Sequence, residues 1–182
     1  MKTEDKLGKT LKELMVTEPL DTITVKRLST LCGINRQTFY YHFRDIYDLL
    51  TWIFLNESVH GVDQCKSWQE VFNKFLDYVD TNIIFIQNTL NSAGRELFKD
   101  IMFNGIYAKL LRLLAYTDID NQLSIEDRKF VSKFYTAALI HSLISWIDTG
   151  MKENREVFVR RISILMEDYI ENTISKFTKS RG

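Results

Sequence analysis

The chain has 182 residues, 45% hydrophobic and 13% aromatic, which is enough apolar side chain for a packed core and excludes a disordered polypeptide. One Pro and seven Gly leave little material for the turn-dense pattern of an all-β protein. The formal net charge is zero, which excludes a general polyanion binder, so any nucleic-acid affinity must come from local charge placement.

The start is charged (Lys2, Glu4, Asp5, Lys6), and no apolar run approaches about 18 residues, so neither a signal peptide nor a membrane span is expected. Cys32 and Cys65 lack the CxxC spacing of a metal or redox pair and read as structural thiols of a cytoplasmic protein. A first helix is expected over 5–17, with Leu7, Leu11, Leu14 and Met15 on one side and Lys6, Lys9, Lys12 and Glu13 on the other. Pro19 ends it, and Ile23 turns back toward the core.

Two short helices follow. Thr24 is a good N-cap, and Val25, Leu28, Leu31 and Cys32 then fall on one face. Gly33 stands where a helix end takes a left-handed residue, Ile34 plugs the corner, and Asn35 caps the next helix. That helix sends Phe39 and Phe43 inward and leaves Arg36, Gln37, Thr38, Tyr40, Tyr41 and His42 outward. Four basic residues (Lys26, Arg27, Arg36, Arg44) and no acidic ones lie between Thr22 and Arg44. Any small helical hairpin has such a turn, but this local charge bias favours a helix-turn-helix that places its second helix in the major groove.

The run Thr-Val-Lys-Arg-Leu, Gly-Ile-Asn, Thr-Phe-Tyr-Tyr-His-Phe-Arg-Asp, then Asp48-Leu49-Leu50 resembles the N-terminal domain of TetR-family transcriptional regulators. The likeness is dense over residues 5–52. It implies that Arg36, Gln37, Thr38 and Tyr40 reach base edges or the nearby backbone, while Thr24, Lys26, Tyr41 and His42 hold phosphates or bracket the groove. Many members carry Lys near the start of the fourth helix, where Ile46 stands here. The missing anchor is expected from Arg44 or from a backbone N–H of that helix.

Asp45 caps a fourth helix running to about Gly61, with Ile46, Leu49, Leu50, Ile53, Phe54 and Val59 inward. Residues 61–67 read as a connection. A helix from Trp68 to about Thr89 repeats Val71, Phe72, Phe75, Leu76, Val79, Ile83 and Ile86 at helical period. Asn91-Ser92-Ala93-Gly94 marks a turn, a further helix covers about Arg95–Tyr116, and Thr117–Ser124 is a loop. In the helix over Ile125–Thr149, apolar or small residues fall on nearly every face from Phe130 to Ile147, which predicts burial all round. A last helix covers Asn154–Phe177. Pairing these two with their copies makes a four-helix bundle, with Phe130, Phe134, Ala138, His141, Ile162, Met166 and Tyr169 at the dimer interface. A monomer with a thick core is the alternative. Ser145–Lys152 looks like the C-terminal domain of a TetR subgroup that includes an activator of a dihydroxyacetone-kinase operon.

The three His (His42, His60, His141) are scattered, and no metal spacing, phosphate loop or GxSxG elbow is present. No enzyme activity, metal or cofactor is expected. The resemblance implies an effector pocket among the middle helices, and Phe72, Phe75, Phe103, Tyr107 and Trp146 are its candidate lining, suited to a small apolar or aromatic ligand. His141 on an apolar stripe needs a polar partner, either a ligand or the second subunit. The expectation is an all-α regulator with a DNA-binding domain over 1–46 and an effector-binding and dimerisation domain over 47–182. It is expected to act as a homodimer on a near-palindromic double-stranded operator, away from any membrane. The alternative is a regulator without an effector, switched by a partner protein on its helical domain.

Overall fold

The computed structural model describes residues 2–57, 61, 64–118, 122–166 and 169–179. All regular elements among them are helical: α1 (Thr3–Met15), a 3₁₀ turn (Leu20–Thr22), α2 (Val25–Leu31), α3 (Arg36–His42), α4 (Ile46–Glu57), α5 (Trp68–Thr81), α6 (Ile83–Leu90), α7 (Arg95–Thr117), α8 (Ile125–Asp148), α9 (Arg155–Met166) and α10 (Tyr169–Lys179). Val59 and His60 lie outside the described residues, as do the side chains of Tyr169, Ile170 and Ile174. The chain packs as two compact units, Met1–Val62 with Lys74–Ile101, and Asp63–Asn73 with Met102–Gly182.

In the first unit, α1 packs on α2, α4 and α6. Leu7, Leu11, Leu28, Phe39, Leu49, Ile53 and Phe54 are fully buried there. Gly8 lets α1 approach α4, since a Cβ at that point would stand 3.2 Å from both Ile53 and Trp52. Phe54 sits at the centre of an aromatic cluster, its ring 5.1 Å from those of Phe85 and Phe98. The packing around α1–α3 thus draws on helices well beyond residue 46.

The single helix expected over Trp68–Thr89 is broken. Asn82 leaves helical geometry at φ −121° and ψ 24°. Its Nδ2 donates to the Tyr78 carbonyl (2.9 Å), and its Oδ1 accepts from Lys12 Nζ of α1 (2.7 Å). Neither Gly nor Pro marks the break; a side chain that competes for backbone bonds makes it. Lys12 also pairs with Glu57 at the end of α4 and lies 5.3 Å above the Phe85 ring.

In the second unit, Leu139, Ile140, Leu143, Ile144, Trp146 and Ile147 of α8 are buried. Trp146 stacks on Phe158 of α9 at 4.8 Å and 3°, and its Nε1–H donates to the Glu153 carbonyl (2.9 Å). At the end of α7, Asp118 is buried and accepts from the N–H groups of Gln122 (2.8 Å) and Leu123 (3.0 Å) and from Arg128 (2.8 and 3.1 Å). Burial all round α8 does not hold within one chain: Phe130, Phe134, Ala137, Ala138 and His141 are exposed. Among the described residues α8 alone has the length and mean hydropathy (1.2) of a membrane span, but half of that window is buried inside the protein, as in the core helix of a globular fold, and Lys133 interrupts its apolar run.

Candidate nucleic-acid interface

The reader is built by local rules. Thr24 Oγ1 accepts the Arg27 N–H (3.2 Å) and starts α2. Gly33 ends it at φ +62°, with Gly33 N–H donating to the Thr30 carbonyl (3.1 Å) and Ile34 N–H to that of Ser29 (3.0 Å). This pair of hydrogen bonds about a left-handed glycine is a Schellman stop. Asn35 Oδ1 then accepts from both the N–H (2.7 Å) and the hydroxyl (3.0 Å) of Thr38, which starts α3. Leu31 departs from the expected inward face: at 56% exposed it is turned to solvent by its place in the last turn before Gly33.

Phe39 and Phe43 anchor α3, with rings 5.9 Å apart and Phe43 edge-on to Trp52 of α4 at 6.0 Å. That anchorage fixes the outward face. Arg36, Gln37, Tyr40 and Tyr41 are exposed, Tyr41 at 86%, and Thr38 is half-buried beside its cap. Lys26 and Thr24 are exposed on the flank of α2. Among the described residues Lys26 and Arg36 have no acidic partner, whereas Arg27 pairs with Glu18 and Arg44 with Asp48 (3.3 Å).

At the start of α4, Asp45 Oδ1 accepts the Asp48 N–H (2.8 Å), as a cap should. The Asp48 carboxylate turns back to the Arg44 backbone N–H (3.0 Å) and guanidinium, which hold its pKa below the usual carboxylate range. Ile46 is buried. Arg44 is therefore exposed but already engaged, and His42 is half-buried, with Nδ1 3.1 Å from Glu4 Oε1 of α1.

Two polar side chains that anchor this region escaped the sequence reading. Asn88 on α6 donates from Nδ2 to the carbonyls of Met15 and Glu18 and accepts the Leu20 N–H (2.8 Å). Asp21 accepts the Tyr47 hydroxyl (2.6 Å) and the Ala93 N–H (3.4 Å). The signal for Asn88 was an amide set, with Gln87, among Phe85, Ile86 and Leu90, in a helix where a part-buried polar group needs partners.

The candidate pocket residues fall into separate packings. Phe72 and Trp146 both lie on Phe158, Phe72 at 6.0 Å. Phe103 and Tyr107 stack on each other (6.0 Å, 14°). Phe75 is buried in the first unit. Of the candidate interface residues, Phe130 (64%), Phe134 (61%), Ala138 and His141 are exposed, while Ile162 and Met166 are buried in their own chain. The exposed apolar side chains of α9 are instead Ile164 and Leu165. Both cysteines are buried and outside any disulfide, and no three metal-ligating side chains gather among the described residues.

Residues 66–168, more than half of the chain, match the TetR C-terminal family described as "transcriptional regulator C-terminal region". The chain belongs to the TetR family of transcriptional regulators. One relative of this TetR-family chain is the HTH-type dhaKLM operon transcriptional activator DhaS of Lactococcus lactis subsp. lactis (strain IL1403), 34% identical over 88 residues. That match covers 47% of each chain, so this chain spans about half the length of the curated relative it matches. Among solved structures, the dihydroxyacetone kinase operon activator DhaS superposes with a TM-score of 0.72 at 24% identity, covering 93% of this chain and 96% of that one. A tetR-family transcriptional regulator from Streptomyces coelicolor superposes at 0.61 and 15% identity, over 96% and 87%. These two show a shared all-helical fold. Neither relative is an enzyme by name, and both are regulators of transcription.

Proposed function

We propose that this TetR-family regulator is a cytoplasmic homodimer that reads a near-palindromic operator with α3. The observation that supports it most is the seven-residue α3 itself, capped by Asn35, anchored by Phe39 and open on an acid-free face. Arg36, Gln37, Thr38 and Tyr40 read base edges, while Thr24, Lys26, Tyr41, His42 and Arg44 set the register on phosphates. Residues 1–46 supply this reader and residues 47–182 its helical body. The exposed ladder of Phe130, Phe134, Ala138 and His141 on α8 is the surface that a second copy covers. Two such readers would enter successive major grooves about 34 Å apart.

Selection of duplexes from a random pool, followed by sedimentation of the complex, tests this reading. A palindromic consensus bound by two chains is the expected result. A stable monomer, or binding with no consensus, would end it.

A small apolar or aromatic effector near Phe72, Phe103, Tyr107 and Trp146 remains the family-based control. The mutual packing of Phe72 and Trp146 on Phe158 favours a second reading, in which a partner protein on the helical body is the switch. A thermal-shift screen against small metabolites separates the two, because a bound effector raises the melting temperature by mass action.

A further inference from the structure

Arg44 lies between α3 and α4, and its charge is met by an acid of its own chain. Its Nη2 donates to Asp48 Oδ1 (3.3 Å), and its backbone N–H donates to Oδ2 of the same carboxylate (3.0 Å). The two partners are not equally mobile. Asp48 stands half-buried in the first turn of α4, with its own N–H held by Asp45 Oδ1 (2.8 Å). The carboxylate stays ionised, its pKa lowered by the Arg44 N–H first and then by the guanidinium. The Arg44 side chain, by contrast, is 87% exposed on a long stem that can turn elsewhere.

The other end of the acid-free segment is built alike. Arg27 donates to Glu18 Oε1, and Asn88 holds the Glu18 carbonyl. Of the four basic residues between Thr22 and Arg44, two are thus met by acids from just outside the segment. Ile46 is buried, so Arg44 is the sole cationic side chain from Arg44 to Asp48.

An exposed guanidinium–carboxylate pair is weak enough to open, so a phosphate can take Arg44. The carboxylate, pinned by backbone groups, does not travel with it. The phosphate must therefore replace Asp48, and what binding gains is the difference between two anions rather than a whole new contact.

We propose that Asp48 is an affinity-limiting residue for DNA: it competes with a backbone phosphate for the Arg44 guanidinium and so holds down binding to every duplex alike. This rests on α3 being the DNA probe with Arg44 on a phosphate beside it. It adds to that reading a residue that opposes binding.

The test is a double-mutant cycle, read by fluorescence anisotropy of the full chain on a mixed-sequence duplex spanning two successive major grooves, at fixed pH and low salt. Asp48→Asn keeps an acceptor for the Arg44 N–H but releases the guanidinium, and should tighten binding by about two- to fivefold per reader. In an Arg44→Ala background the same change should tighten it by less than half as much on a logarithmic scale, because no cation is left to release. Asp48→Ser makes the same comparison if Asp48→Asn fails to fold. Glu18→Gln removes another acid near the reader, and its effect should be the same with or without Arg44. Equal tightening by Asp48→Asn in both backgrounds overturns the proposal, since the acid would then act by repelling DNA directly. So does no tightening with Arg44 in place. Absence of duplex binding by every variant would sink the reading of α3, and the proposal with it.

Discussion

The side chain of Asn88 on α6 donates a hydrogen bond of 2.8 Å to the carbonyl of Met15, the last residue of α1. The same amide also serves Glu18 and Leu20, so one residue of α6 holds the end of α1, the break after it and the start of the 3₁₀ turn. Asn88→Ala leaves two carbonyls and one N–H without these bonds, in a part-buried place. A loss of about 1–3 kcal/mol is expected. At this chain length that lowers the melting temperature by about 2–4 °C per kcal/mol, read by circular dichroism. Asn88→Asp should fare no better, because it keeps the acceptor for Leu20 but sets a carboxylate against two carbonyls.

Asp118 predicts a loss of stability in acid. Burial pushes its carboxyl up, but the N–H groups of Leu123 and Gln122 and the Arg128 guanidinium outweigh this and hold it below the usual carboxylate range. A group whose pKa is lower folded than unfolded stabilises the fold above its unfolded value, and the contribution fades as pH falls through the folded one. Urea midpoints should therefore drop below about pH 4. Asp118→Asn should be less stable at pH 7 by about 3 kcal/mol, since it takes from Arg128 its buried carboxylate, and its stability should depend less on pH in that acid range.

Tyr47 predicts the alkaline side. Burial, then the hydrogen bond and the charge of Asp21, push the phenol up to about 12. Its contribution is complete below the unfolded value of about 10 and fades as pH rises through the folded one. Tyr47→Phe removes this proton linkage. Its unfolding midpoint should fall less steeply than the wild type's between pH 10 and about 12, in a titration of stability against pH.

On DNA, Arg36→Ala and Lys26→Ala should separate. Arg36 lies on the outward face of α3, and its loss should cost about 1–3 kcal/mol of discrimination at one base pair. Lys26 flanks the groove on α2, and its loss should weaken all duplexes alike and reduce the salt slope by about 1. Competition binding against a random duplex, at two salt concentrations, checks both. Equal loss on cognate and random DNA for Arg36→Ala would refute its assignment.

Phe134→Lys tests the pairing surface. The side chain is largely solvent-exposed within one chain, so the thermal stability intrinsic to the monomer should be unchanged while sedimentation reports half the mass. Leu139→Ala, five residues on but buried, should instead cost about 2–5 kcal/mol of folding stability.

The reader was legible in the sequence because its determinants are local. Caps at Thr24 and Asn35, a left-handed Gly33 and an i, i+4 pair of Phe39 and Phe43 act within a turn or two, and each holds as expected. What depended on residues far along the chain was not legible. The break at Asn82 is stabilised by Lys12, seventy residues away; Asn88 reaches back to Met15; and His42 lies against a carboxylate of α1. Periodicity showed how apolar α8 is. Which side faces the chain's own core was decided by packing against neighbours such as Phe158, because burial is a property of what lies opposite, and a helix read alone has nothing opposite it.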